Sequence, residues 1–248
     1  MSDQFLRTEL IFGEDAICRL MSMRVAIFGV GGVGGYAVEA LARSGIGTLD
    51  LFDDDVVCPS NINRQLHATW ETVGQYKTDV VCERVMSINR RATVNCFHMF
   101  YTQKNANEVN LADYDYVVDA VDTMDAKLSL AERCYSNGIP IISVMGCGNK
   151  VDPTRLIVGD IFDTSVCPLA RIMRHELRKR NIPKLAVVYS TEKPCRPLTL
   201  STQGDNSLPE ATRNGNVRRR IPGSTAFVPA VAGLIAASVV VGELIRRH

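Results

Sequence analysis

The chain has 248 residues, 46% of them hydrophobic and 22% charged, with a net charge of +1, the profile of an ordinary soluble globular protein with a proper core. Its eight cysteines contain no Cys-x-x-Cys pair, which excludes a paired zinc clasp and leaves them as reduced, mainly structural thiols. Asp3, Arg7 and Glu9 interrupt any apolar leader near Met1, so the cytoplasm is the expected compartment.

From the amino terminus, "RVAIFG" (24–29) is predicted as a strand that runs through "GVGGVG" into a helix over 33–44. Further strands are predicted at 48–53, 93–99, 114–120 and 140–146, with helical patterns at 76–90 and 125–137 between them. Two more strands fall at 155–160 and 185–190, separated by a basic helix around 168–180. Residues 191–223 are rich in Pro, Gly, Ser, Thr and Asn and read as a long loop. The apolar run 226–241 is shorter than the roughly 20 residues that span a bilayer, and its Pro229, Gly233 and alanines favour packing against protein. A buried terminal helix, with no stable membrane insertion, is expected.

This alternation predicts an α/β fold: a Rossmann-like, mostly parallel sheet with helices on both faces, extended by extra strands, a long loop and a C-terminal apolar helix. The whole of 1–248 is expected to form one domain, with a nucleotide-binding half over about 1–150 and a substrate-facing half over about 151–248.

The glycine turn, Gly29, Gly31, Gly32 and Gly34, follows a strand and opens a helix, so its backbone N–H groups and the positive helix terminus can meet a phosphate. Asp53 ends the second strand, where a carboxylate accepts hydrogen bonds from both ribose hydroxyls. NAD and ATP both carry that ribose. Three later pieces separate them: the stretch "DDDVVCPSNINRQ" with Asp55, Asn61 and Arg64; Lys77 in "VGQYKTDV"; and Asp122 in "DAVDT". An amide and two cations exceed what a dinucleotide pyrophosphate requires and suit a triphosphate with charge building on a leaving pyrophosphate. Asp122 is then placed to hold a magnesium ion (Mg2+).

Taken together, "GVGGVGGYAVEALARSGIG", "DDDVVCPSNINRQLHAT", "VGQYKTDV" and "DAVDT" resemble the ThiF/MoeB-like adenylating enzymes related to ubiquitin activation. That resemblance implies an ATP-binding homodimer. Asp53 would take the ribose, Asn61, Arg64 and Lys77 the triphosphate, and Asp122 the metal, while Arg7 in "FLRTELIFG" would reach into the partner subunit's site. The second half, with "NKVDPTRLIVGD", "VVYSTEKP" and "GSTAFVPAVAGLIAA", is similar to the threonylcarbamoyladenosine dehydratase branch, whose substrate is a modified tRNA. A sulfur-delivery (cysteine desulfurase) partner is left open, as is a role for any cysteine near the site. The rival readings are an adenylyltransferase for a ubiquitin-like sulfur carrier and, more remotely, an NAD-dependent oxidoreductase.

Charge is unevenly spread. From Arg171 to Arg220 there are 12 Lys or Arg against 4 Asp or Glu, a net +8 that leaves −7 on the rest of the chain. Arg171, Arg174 and Arg178 recur at helical spacing, and Arg218, Arg219 and Arg220 end the long loop. A tRNA backbone is the partner expected for this segment.

Overall fold

In the computed structural model the described residues are 3–196 and 222–246. Seven strands form one sheet in the order β3-β2-β1-β4-β5-β7-β6. They are β1 (Arg24–Phe28), β2 (Thr48–Phe52), β3 (Thr93–Phe97), β4 (Tyr116–Asp119), β5 (Ile141–Val144), β6 (Leu156–Asp160) and β7 (Ala186–Ser190). All pairings are parallel except that of β6 with β7. The helices are α1 (Leu6–Phe12), α2 (Glu14–Ser22), α3 (Gly34–Ser44), α4 (Lys77–Ile88), α5 (Met124–Asn137), α6 (Pro168–Lys179) and α7 (Val228–Arg246).

The central strands are apolar on both faces, as a doubly covered parallel sheet requires. Because successive side chains point to opposite faces, Val25, Ile27, Leu49, Leu51, Tyr116 and Val118 share one core with α3 and α7. Ala26, Phe28, Phe52 and Val117 share the other with α5, where Phe28, Phe52 and Phe97 stack at centroid distances of 4.4 and 4.5 Å. Asp50 is the polar exception in β2. It is fully buried but satisfied, accepting from Arg24 at 2.6 Å, Asn95 at 2.7 Å and Tyr114 at 2.9 Å.

By length and composition α7 resembles a membrane span, with a mean hydropathy of 2.1, yet it is a core helix. Gly233, Ala236, Ala237, Val240, Val241 and Leu244 are buried at alternating spacings of three and one, one continuous stripe. Gly233 lets it approach α3 closely, since a Cβ there would lie 2.2 Å from the Val33 carbonyl oxygen.

The predicted strands and helices are present, with strands one to three residues shorter because their ends pass into turns. α2 buries Ala16, Ile17 and Leu20, and Phe5 is buried against Gly45, while α1 between them is helical but buries none of its residues. Most of the long loop lies outside the described residues, including Arg218, Arg219 and Arg220.

Candidate active site

The strand order reverses direction between β1 and β4, and the crevice at their carboxyl ends is where such sheets take a ligand. The parallel ladder continues one residue beyond the strands: Gly29 N–H donates to Phe52 O at 2.8 Å, Asp53 N–H to Phe97 O at 3.2 Å and Ala120 N–H to Phe28 O at 2.8 Å. Gly29, Asp53 and Ala120 therefore stand side by side at the edge.

The glycines of the turn differ in what requires them. Gly29 has φ +85°, and a Cβ on it would meet Ala120 O at 2.7 Å; one on Gly34 would meet Gly29 O at 1.8 Å. These two are imposed by the turn itself. At Gly31 the nearest atom is Gln65 Nε2, 3.7 Å from such a Cβ, and at Gly32 nothing comes closer than 3.4 Å. No close contact within the fold requires bare backbone at these two positions.

Asp53 braces this turn. One carboxylate oxygen accepts from Val30 N–H at 2.7 Å and the other from Asp55 N–H at 2.9 Å. Burial raises its carboxyl above the usual range, opposed by the Lys77 ammonium and by these two backbone donors. The chain then leaves the sheet and returns at Tyr76, which bridges to Val56, so that Lys77 opens α4 beside Asp55. Lys77 N–H donates to Asp55 O at 3.0 Å, and its buried ammonium sits 2.7 Å from Asp55 Oδ2 and 3.9 Å from Asp53 Oδ1.

Between these points, Asn61 closes a short turn by accepting from Cys58 N–H at 3.1 Å. Arg64 donates to Ser60 O at 2.7 Å and Asn63 Oδ1 at 2.9 Å and has no carboxylate partner among the described residues. Burial holds its guanidinium below its ordinary value. Asp122 lies exposed between β4 and α5 with no partner among the described residues, a carboxylate free to take a cation. Among the described residues only Asp53, Asp54 and Asp55 bring three candidate metal-ligand atoms within 4.8 Å of one another, and Lys77 already neutralises part of that cluster.

Three features of this edge escape sequence reasoning. Gln65 and His67 are buried behind the glycine turn, with Gln65 Oε1 and both His67 ring nitrogens unpartnered among the described residues. The His67 ring lies 3.1 Å from the place a Cβ on Gly35 would occupy, and burial, then Lys77 and Arg84, push its pKa down to about 4. Asp119, the last residue of β4, forms a buried cluster with Lys127 and Ser143 directly beneath the Asp122 loop.

The other candidates lie elsewhere. Arg7 is exposed on α1, a helix that buries none of its residues in this chain. On α6, Ala170, Met173 and Leu177 are buried, and Arg171, Arg174 and Arg178 each follow one of them, so the arginines flank the packed stripe. Arg171 and Arg178 are exposed, the latter 5.1 Å over the Phe162 ring. Arg174 is engaged, donating to Thr164 O at 2.8 Å and to the Thr164 hydroxyl.

This edge can do two things chemically: cradle phosphates on a bare backbone turn, and place cations over a developing negative charge. Comparison with known proteins narrows the choice. Residues 3–246 match the ThiF family. Over 249 residues the chain is 41% identical to the tRNA threonylcarbamoyladenosine dehydratase of Bacillus subtilis, covering 99% of this chain and 96% of that one. The Escherichia coli enzyme of the same name is 34% identical over 98% of this chain and 94% of its own length. Its crystal structure in complex with AMP superposes with a TM-score of 0.84 at 32% identity, covering 98% and 96% of the two chains. A second, in complex with ATP, superposes at 0.83.

Proposed function

The chain belongs to the ThiF family, and from that premise we propose that it is an ATP-dependent tRNA-modifying enzyme. It adenylates the threonyl carboxylate of threonylcarbamoyladenosine and closes it into a ring. The observation that carries this reading is the convergence of the glycine turn, Asp53, Arg64 and Lys77 on one crevice, in a chain matched end to end by dehydratases.

One carboxylate oxygen attacks the α-phosphate of ATP and pyrophosphate leaves, so that hydroxide, a poor leaving group, is replaced by AMP. The neighbouring carbamoyl group then attacks the activated carbonyl carbon. The bond between that carbon and the AMP oxygen breaks, and a five-membered ring closes with net loss of water. Nucleophile and electrophile are tethered in one molecule, so proximity supplies most of the second step and no protein nucleophile is required.

Each residue has a place in this scheme. The backbone of Gly29, Gly31, Gly32 and Gly34 faces the phosphates, Asp53 takes the ribose through its remaining lone pairs, and Asn61 and Arg64 reach the triphosphate. Lys77 is held by Asp55 in the free protein and exchanges that partner for phosphate oxygen, leaving Asp55 beside the nucleotide. The exposed carboxylate of Asp122 fits a magnesium ion, which when bound offsets charge on the departing pyrophosphate.

The working form is a homodimer in the cytoplasm. α1 supports it: Leu10 and Ile11 are 79% and 76% exposed on a helix with no buried face, and Arg7 lies on the same helix. Arg7 completes the partner's site, and Arg171 and Arg178 meet tRNA phosphates.

The test is mass analysis of nucleosides from tRNA incubated with the protein and ATP. Loss of one water from threonylcarbamoyladenosine is expected. Unchanged tRNA together with adenylation of a Gly-Gly-ended carrier protein would transfer the chain to the sulfur-carrier branch, and a preference for NAD over ATP in equilibrium binding would end the reading.

A further inference from the structure

Two lysines are almost fully buried at the carboxyl edge of the sheet, and the fold treats them in opposite ways. Lys127, 1% exposed, donates to both oxygens of Asp119 at 3.1 Å, to Ser143 Oγ at 3.3 Å and to Val144 O at 2.8 Å. Lys150, 2% exposed, has its ammonium shielded from solvent with no hydrogen-bond partner among the described residues. A buried charge without a partner opposes folding strongly, so a cation kept in this state calls for an anion that arrives from outside.

Lys150 lies in the loop after β5, next to the strand whose exit carries Asp122. Its neighbour Asn149, with φ +58°, donates its N–H to Gly223 O at 2.7 Å and accepts from Gly223 N–H at 2.7 Å. The next residue, Ser224, accepts from Asn63 Nδ2 at 3.1 Å. The loop bearing Lys150 and the loop bearing Arg64 are thus tied to consecutive residues, whose Cα atoms are about 3.8 Å apart. Thr225, one step further, also has a buried hydroxyl without a partner.

The Lys150 loop is rigidly built. Glu192 accepts from Val151 N–H at 3.1 Å and Asp152 N–H at 3.0 Å, fixing the backbone on the other side of Lys150. Burial pushes the nearby Cys147 thiol up to about 11, while the Lys150 and Lys127 ammonium groups pull the other way.

In the proposed reaction the nucleotide already has the glycine turn, Arg64 and Lys77. The substrate's own carboxylate has no cation assigned to it. We infer that Lys150 is the substrate-binding residue that receives the threonyl carboxylate and sets it beside Arg64 for attack on the α-phosphate. This rests on the reading of function above. It also explains why Lys150, unlike Lys127, is left unpaired in the free protein.

The test uses the full chain and threonylcarbamoyladenosine-bearing tRNA with Lys150→Met and Lys150→Arg, reading ATP affinity, kcat/KM for the tRNA and the Tm of the free protein. Losing a hydrogen-bonded charge at the carboxylate predicts a fall in kcat/KM on the order of thirtyfold in Lys150→Met. ATP affinity is expected to hold within about twofold, and Lys150→Arg to recover part of the loss. The Tm of Lys150→Met is expected to rise, because a lone buried charge is replaced by a side chain of similar length. An unchanged kcat/KM, a parallel fall in ATP affinity, or a lowered Tm in Lys150→Met each overturns the inference. Should the wild-type chain bind ATP yet fail to convert the tRNA, the function reading fails by itself, while the Tm comparison still decides whether Lys150 is paired in the free protein.

Discussion

The exits of β1, β2 and β4 and the exits of β5 and β7 belong to one sheet edge, yet they are finished differently. On the first side the charged groups beside the glycine turn hold one another, Asp53 taking two backbone N–H groups and Lys77 resting on Asp55, while Asp122 beyond β4 stands exposed. On the second side positive charge is left open at Lys150, buried and unpaired among the described residues; away from that edge, Arg171 and Arg178 of α6 are exposed without acidic partners among the described residues. A nucleotide presents the same phosphates and ribose each time, so its pocket can be preorganised as a closed network. A large polyanionic substrate brings its own charges, and on the proposed reading unpaired cations are what the surface that meets it requires.

The largest effect expected from breaking the nucleotide side is on pyrophosphate exchange. Lys77→Ala or Arg64→Ala removes a charge that stabilises the transition state, about 3 to 4 kcal/mol, so exchange should fall by at least about a hundredfold in a folded protein. Near-normal exchange by folded Lys77→Ala would remove Lys77 from the chemistry. Asp122→Asn should instead raise the magnesium concentration needed for exchange, and an unchanged magnesium titration would take the metal elsewhere.

His67, buried with both ring nitrogens unpartnered among the described residues, gives the nucleotide side a pH signature. Its folded pKa of about 4 lies below the ordinary 6.5, so the unfolded chain takes up a proton first as pH falls. Stability is full above pH 6.5 and is lost between about 6.5 and 4, by up to about 3 kcal/mol. Denaturant unfolding of wild type and His67→Phe across that range should show the slope in the first and a flatter profile in the second. Equal slopes would mean that His67 titrates normally.

Crossing the comparison between subunits gives a smaller, all-or-half effect. In verified heterodimers of Arg7→Ala and Lys77→Ala chains, one site keeps its own Lys77 and receives Arg7 from the partner, so about half of the wild-type activity should return. No rescue would confine Arg7 to its own subunit or to no role.

The smallest expected effects separate two arginines of α6. Arg178→Ala should flatten the dependence of log tRNA affinity on log salt by roughly 0.7 to 0.9, the signature of one lost phosphate contact. Arg174→Ala should leave that slope alone and lower stability by about 1 kcal/mol, because its guanidinium is bonded to Thr164. A slope change in Arg174→Ala with none in Arg178→Ala would reverse the assignment.

What the sequence disclosed follows from the same physics. The strands were legible because runs such as "RVAIFG" are buried on both faces and end at turn residues, and Gly29 and Asp53 stand at ladder-extending positions where a strand gives way to a turn. α1 was not legible, since its apolar Leu10 and Ile11 face outward and follow no buried period. Lys127 and Lys150 were missed for another reason. A lysine reads as a surface residue by default, and only the convergence of β4, β5 and the 222–225 segment turns these two inward. Arg174 has the correct helical spacing for a basic face, but its partner Thr164 sits on the preceding turn, a contact that spacing along α6 does not encode.

The central claim, that a substrate carboxylate is adenylated and then expelled as AMP, is tested most directly by following oxygen. tRNA carrying threonylcarbamoyladenosine with both carboxylate oxygens labelled as oxygen-18 is converted with unlabelled ATP, and the AMP is analysed by mass. The account predicts one labelled oxygen in each AMP released by ring closure, with the other retained in the ring carbonyl; AMP without label, at full conversion of the tRNA, would contradict it.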